Sequence, residues 1–327
     1  MEPTPDAAGA LPSPAVPAVP ATVDEVVARL REHDYLCDHR LATAVLVALR
    51  IGKPLFVEGE AGVGKTELAR AMAGVLGARL IRLQCYEGID LAHAAYEWNY
   101  ARQLLHIRLL DLGHDPGHVA GGEAGAAAER ARAERDLFSD EYLLRRPLLD
   151  AIDNHDAVPP VLLIDEIDRS DEEFEAFLLE VLADFAISIP ELGTVRAERP
   201  PFVVLTGNRT REVHDALKRR CLYHWIDYPE LEREVAIVRA RAPEVTERLA
   251  RRVAGLVHHL RAMDLYKLPG VAETVDWARA LAAIDSQGGD AEAVAATVGA
   301  AVKYQEDLDA VRAAVPDLLS GGSAAAG

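Results

Sequence analysis

Apolar residues in this chain fall into short unbroken runs, separated by longer stretches in which they recur every three or four positions. The runs are "PLFVEG" (54–59), "ARLIRLQC" (78–85), "VLLIDE" (161–166), "PFVVLTGN" (201–208) and "CLYHWIDY" (221–228). Runs of this kind fit strands buried on both faces, and helical periodicity between them fits crossover connections. The pattern therefore predicts an α/β fold: a parallel sheet of about five strands between two layers of helices. A helix is expected from a capping box at Thr22 and Glu25 to about residue 32. Another spans about 39–50 and stops at Gly52, with Pro54 beyond; a third spans 65–76 and closes at Gly77. After Pro229 the pattern is wholly helical, at about 230–241, 245–263, 274–284 and 290–303, with a last piece to about 314. These readings divide the chain into a sheet domain at 22–228 and a small all-α domain at 229–316. Residues 1–21 are rich in Pro and Ala, residues 317–327 in small side chains, and both are expected to be disordered tails.

An insertion is expected at about 87–135. Within it, residues 111–135 are Gly- and His-rich at first and then read as an Ala/Arg/Glu helix. His106, His114 and His118 lack fixed helical or strand spacing, so a solvated loop is favoured over a metal site. No internal repeat is visible. The length, 327 residues with half of them apolar, suffices for one large core or two smaller ones. The formal charge of −18 argues against holding nucleic acid by a broad basic surface. Cys37, Cys85 and Cys221 are odd in number and form no CxxC pair, which fits buried reduced thiols. The N-terminal stretch lacks the basic start of a secretion signal, and the longest apolar run, 41–49, is too short to cross a bilayer. A soluble, cytoplasmic protein is expected, with peripheral membrane contact only through a partner.

The chemistry concentrates at strand ends. After the first run comes Gly59-Glu60-Ala61-Gly62-Val63-Gly64-Lys65-Thr66-Glu67, which fits G-x-x-x-x-G-K-[ST]. Glycines let consecutive backbone N–H groups curl around phosphate oxygens. Lys65 brings positive charge to the β and γ phosphates, Thr66 offers a hydroxyl to Mg²⁺, and the following helix points its positive dipole end at the anion. A buried-type strand before the loop and a helix after it are the context that phosphate binding requires. The third run ends in Asp165-Glu166, at the strand end where ligands bind in open α/β sheets. Neighbouring residues there point in different directions, so Asp165 is assigned to the metal and Glu166 to the attacking water. Asp168 and the acids of 171–175 read as helix-start electrostatics, with Ser170 to Glu173 capping the next helix. Asn208 ends the fourth run, either as a turn residue or between the γ-phosphate and the water. Arg219 and Arg220 end a helix, either as exposed dipole partners or aimed at a neighbouring subunit's γ-phosphate.

This order of motifs resembles the AAA+ ATPases, with the P-loop NTPase fold and a helical lid. "GEAGVGKTELARA", "PPVLLIDEIDRSDEEFEAFLLEVL" and "FVVLTGNRTREVHDALKRRC" are more closely similar to the MoxR-type group, chaperone-like ATPases that remodel or help assemble metalloenzymes. The resemblance covers about residues 22–285. "KLPGVAETVDWARAL" looks like the CoxD-type proteins linked to carbon monoxide dehydrogenase maturation. The resemblance implies ATP with Mg²⁺, adenine specificity, a hexameric ring, a metalloenzyme client and a partner carrying a von Willebrand factor A domain. By the same resemblance Asn208 matches sensor 1 and Arg220 the arginine finger, with Arg219 the runner-up. Arg279, early in a lid helix, looks like sensor 2, which contacts the γ-phosphate of its own subunit, or else is a surface helix residue. Residues 87–110 match an insertion whose Tyr96, Trp98 and Tyr100 face the ring pore or a client, or else pack in a core. Arg145-Arg146 departs from the group's glycine and suggests a subunit-interface role. Three other functions compete: a small-molecule kinase, a DNA-directed motor, and a switch that binds nucleotide without turnover.

Overall fold

The computed structural model describes residues 18–113, 136–284 and 290–321. Its strands are β1 (Leu55–Gly59), β2 (Leu80–Gln84), β3 (Tyr96–Trp98), β4 (Leu143–Arg145), β5 (Val161–Asp165), β6 (Ala186–Ile189), β7 (Gly193–Arg196), β8 (Phe202–Gly207) and β9 (Leu222–Ile226). Five of them form one parallel sheet in the order β2-β5-β8-β1-β9. Every residue of β1, β5 and β8 is buried. Alternation along each strand serves the two faces. Phe56, Leu162, Ile164, Val203 and Leu205 enter one core with Leu148, Leu149 and Leu178. Leu55, Val57, Leu163 and Val204 enter the opposite core with Leu30, Val45, Leu68 and Met72. The five predicted strands are these five, and the sheet carries helices on both sides.

Local signals fix the flanking helices. Thr22 Oγ1 accepts from Glu25 N at 3.1 Å, and Glu25 Oε2 accepts in return from Ala21 N at 2.8 Å, opening the helix Val23–Glu32. Asp38 caps the helix His39–Ile51 by accepting from Leu41 N at 2.8 Å. Pro20, expected in a disordered tail, is buried.

The segment 87–113 builds the short helix Leu91–Ala94, the strand β3, which pairs antiparallel with β4, and the helix Tyr100–Gly113. The aromatics expected to act together here divide. Trp98 is buried edge-on against Phe138 at 5.3 Å between ring centres, so it packs in the core. Tyr96 is half-buried and Tyr100 exposed. Arg145 pairs with Asp140 at 2.9 Å and Asp153 at 2.6 Å, and Arg146 with Glu97 at 2.6 Å. Both arginines are thus held within their own chain. The His106 ring packs on Tyr142. His114, His118 and the Ala/Arg/Glu helix expected in the second half of 111–135 lie outside the described residues, as do residues 1–17 and 322–327 of the expected tails. The β6–β7 hairpin was not expected from the sequence.

After β9 come the helices Leu231–Arg241, Glu247–Arg261, Val271–Ala283, Ala291–Thr297 and Gln305–Gly321, the last running past the expected end near 314. They enclose a core of their own, including Val238, Val253, Val257, Trp277, Leu281 and Val311. Among the described residues, Glu234 and Asp307 are carboxylates buried in this helical group. Glu234, fully buried, accepts from Arg261 Nη1 at 2.7 Å, Arg261 Nη2 at 2.8 Å and Thr274 Oγ1 at 2.6 Å. Arg261 also donates to Pro269 O at 2.8 Å and lies over the Tyr228 ring at 4.2 Å. Removing one partner of such a pair leaves an uncompensated buried charge. Glu234→Gln is therefore expected to lower stability by about 3 kcal/mol, read as an earlier denaturant midpoint; a native midpoint would show that the pair contributes nothing. No helix among the described residues is long and apolar enough to cross a membrane.

Candidate functional site

The loop from Gly59 to Lys65 leaves the buried end of β1 and enters the helix Lys65–Leu76. Gly62 and Gly64 take φ values of +79° and +95°, a region that L side chains rarely adopt. Val63 anchors the loop in the core, while Glu60 and Ala61 face outward. Lys65 is 7% exposed, and its Nζ donates to Gly59 O at 2.7 Å and Glu60 O at 2.6 Å. Burial lowers the Lys65 ammonium from the ordinary lysine value, while the charge of Asp168, then of Glu60, Asp165 and Glu166, opposes that fall.

Thr66 and Asp165, 99 positions apart, meet here: Thr66 Oγ1 donates to Asp165 Oδ1 at 2.9 Å. Thr206 Oγ1 donates to the same oxygen at 2.6 Å and accepts from Glu166 N at 2.9 Å, tying β8 to the end of β5. Arg82 on β2 grips Asp165 Oδ2 through Nε at 3.0 Å and Nη2 at 2.6 Å. Glu166 stands in the left-handed region at φ +55°. Its Oε2 accepts from Gln84 Nε2 at 3.0 Å and Arg169 Nη1 at 3.0 Å, and Asn208 Nδ2 lies 3.4 Å from its Oε1. The loop, both acids and Asn208 thus stand at one end of the sheet. Left-handed glycines, a lysine whose ammonium meets loop carbonyls, and a hydroxyl beside a carboxylate suit a polyphosphate with a divalent cation. Among the described residues no cluster of three or more His, Cys, Asp or Glu offers another metal site.

Two expectations about nearby acids fail. Asp171 does cap the helix Glu172–Asp184, accepting from Phe174 N at 2.9 Å. Asp168 and Glu175, however, are buried and turned away from the helix start. Asp168 bonds to the residues after β8, and Glu175 accepts from His214 N at 2.7 Å and from Arg211. Their partners lie about forty positions downstream, out of reach of any local reading.

The arginines separate. Arg219 and Arg220 end the helix Asp215–Arg220, both are exposed, and among the described residues neither pairs with a carboxylate. Arg279 lies past the middle of the helix Val271–Ala283, not early in it, and pairs with Glu244 at 3.2 Å and with Arg241 O. Arg279 does line a cavity of about 290 Å³, together with Gly62, Gly64, Glu67, Tyr35 and His224. Arg241 closes its side by pairing with Glu67 at 3.2 Å. Burial raises the Cys37 thiol at this cavity to about 11, and burial lowers the neighbouring His224. The helical group rests directly on the phosphate loop, where Val271 N donates to Gly62 O at 3.0 Å. A Cβ on Gly270 would stand 2.7 Å from Gly62 Cα, so only glycine permits the approach.

Sequence reasoning missed Arg82, Gln84, Arg169 and Thr206. Arg82 and Gln84 did leave a trace: two polar residues at i and i+2 in an otherwise apolar strand share one side of it. The edge position of β2 makes that side available.

Residues 55–226 match the model of the ATPase family associated with various cellular activities (AAA). Over 161 residues, 48% of this chain, the sequence is 32% identical to the chaperone protein ClpB 1 of Synechocystis, of whose length the match spans 14%. The Holliday junction branch migration motor RuvB of Thermotoga maritima superposes with a TM-score of 0.44 at 16% identity, over 85% of this chain and 71% of that one. A single-residue variant of the same motor gives 0.45 at 17% identity, over 85% and 72%.

Proposed function

The chain belongs to the AAA family of ATPases, and on that premise we propose that it hydrolyses ATP as a ring-forming remodelling ATPase of the MoxR type. Its most specific resemblance is to the CoxD-type proteins, which makes maturation of a metalloenzyme such as carbon monoxide dehydrogenase the proposed task. The reading rests on one observation: Thr66 and Asp165 meet at 2.9 Å directly beside Glu166. In this reading the backbone of 59–66 and Lys65 hold the triphosphate. Thr66 and Asp165 would hold Mg²⁺, which when bound neutralises phosphate charge. Glu166 accepts the proton of the attacking water at a carboxylate oxygen, and Asn208 orients that water. Arg279, at the cavity beside the loop, is assigned to a subunit's own nucleotide.

The exposure of Arg219 and Arg220, with no carboxylate partner among the described residues, supports a role toward a neighbouring subunit, with Arg220 as the finger. Residues 22–228 are the proposed nucleotide-binding domain and 229–316 the lid, and the contact of Val271 with Gly62 gives the lid a direct sense of the loop. The identity with a chaperone over 161 residues supports remodelling in place of small-molecule phosphorylation. A hexameric ring, a partner with a von Willebrand factor A domain, a metalloenzyme client and a cytoplasmic location complete the proposal.

Phosphate release is the test. It is expected without any added acceptor and to steepen with protein concentration as rings assemble. Release that demands an acceptor would make the protein a kinase, and salt-sensitive stimulation by DNA would make it a DNA motor. Mixing Arg220→Ala with Glu166→Gln subunits is expected to restore part of the activity, because each supplies what the other lacks. No recovery at any ratio would remove the finger from Arg220. A strain lacking this chain should make its carbon monoxide dehydrogenase in inactive form; an active enzyme there would end the maturation reading.

A further inference from the structure

Asp168 sits two residues past Glu166, in the short turn Ile167–Arg169 between β5 and the next helix, and is 2% exposed. Its Oδ2 takes three hydrogen bonds, from Asn208 N at 3.1 Å, Thr210 N at 2.8 Å and Thr210 Oγ1 at 2.6 Å. Its Oδ1 is buried and has no partner among the described residues. A carboxylate with one oxygen saturated and the other idle is working as an acceptor at a single point. That point is the turn after β8. Between the two donating amides lies Arg209, held at φ +57°, where a non-glycine residue stays only if its surroundings fix it. The turn carries Asn208, whose amide lies 3.4 Å from Glu166 Oε1. Glu166 and its companion Asn208 are thus referenced to one another through a buried acid on the same segment as Glu166. Glu175 fixes the far end of the loop through His214 N and Arg211, so the Asn208 end depends on Asp168.

We infer that Asp168 is a positioning residue for ATP hydrolysis, holding the Asn208–Thr210 turn so that Asn208 stays against Glu166. The inference rests on the proposed roles of Glu166 and Asn208. Asp168 itself meets no substrate atom in this account; it acts through the turn. For this turn the need is for an acceptor; the charge of Asp168 acts separately, on Lys65. An asparagine can place its carbonyl oxygen where Oδ2 stands and its amide where Oδ1 has no partner.

The test compares Asp168→Ala, Asp168→Asn and Glu166→Gln in the full chain. Steady-state phosphate release, titration with a fluorescent ATP analogue and thermal unfolding are measured for each. Asp168→Ala is expected to bind the analogue with near-native affinity while kcat falls by about 100-fold, as for a displaced catalytic group. Asp168→Asn is expected to restore most of that loss. Native turnover in Asp168→Ala would overturn the inference. So would affinity and turnover falling together in step with lost fold, or an asparagine variant as slow as the alanine one. Native turnover in Glu166→Gln would instead overturn the reading of the site, and this inference with it. Should Asp168→Ala not fold, Thr210→Val removes one of the three donors: slower turnover at native affinity supports the inference, and native turnover overturns it.

Discussion

Glu166→Gln is expected to leave ATP bound and to slow its hydrolysis by up to about 10⁴-fold, the upper range for loss of a general base. The change removes one negative charge and almost no volume. Phosphate binding should survive, because Gly62, Gly64 and Lys65 contact the acid strand through Thr66 and Asp165, and neither is altered. Turnover should not, because a neutral amide cannot take a proton from water. The surroundings of Glu166 sharpen the expectation. Gln84, Arg169 and Asn208 all present N–H groups to its two oxygens, and an amide nitrogen placed there would face donors with a donor. Some loss of order around Asn208 should accompany the loss of the base. Retained nucleotide is measured by filter binding or by the fluorescent analogue, and turnover by phosphate release. Native turnover would remove Glu166 from the mechanism, whatever its position.

The strands that carry this chemistry were legible because burial on both faces confines their polar residues to the last positions. β1, β5 and β8 are apolar until their ends, so Glu166, Asn208 and the glycine loop stood out as the places where the pattern breaks. The edge strands obey a weaker rule, and Arg82 on β2 looked like noise until its partner was found 83 positions away. β3, β4, β6 and β7 were invisible because three or four residues cannot display a period. Asp168 and Glu175 were misread for a different reason. An acid near a helix start has the same appearance in sequence whether it faces water and the helix dipole or crosses to a loop forty residues on. Only tertiary packing distinguishes the two. Arg279 was placed by resemblance, and its partner Glu244 arrives from a helix connection with no recognisable signal.

Lys65→Ala should cost about 2–5 kcal/mol of nucleotide affinity, the usual range for truncating one side of a buried, hydrogen-bonded charge pair. The lysine is the cation of the phosphate loop itself, and it sits among Asp168, Asp165 and Glu166. Its ammonium donates to Gly59 O and Glu60 O. It is therefore already desolvated and aimed along the loop, and little further ordering is needed when phosphate arrives. With alanine in its place the acids remain. A highly negative ligand would then enter a site whose fixed charges repel it, with only backbone N–H groups and the helix dipole in opposition. Lys65→Ala should also abolish the thermal stabilisation that ATP confers on the native chain, since that shift follows the logarithm of occupancy. The two readouts are independent: a fluorescent analogue reports affinity directly, and the unfolding midpoint without nucleotide reports whether the loop still folds. Unchanged affinity in a folded variant would mean that the nucleotide is held elsewhere, and the convergence of Thr66 with Asp165 would then lose its functional meaning.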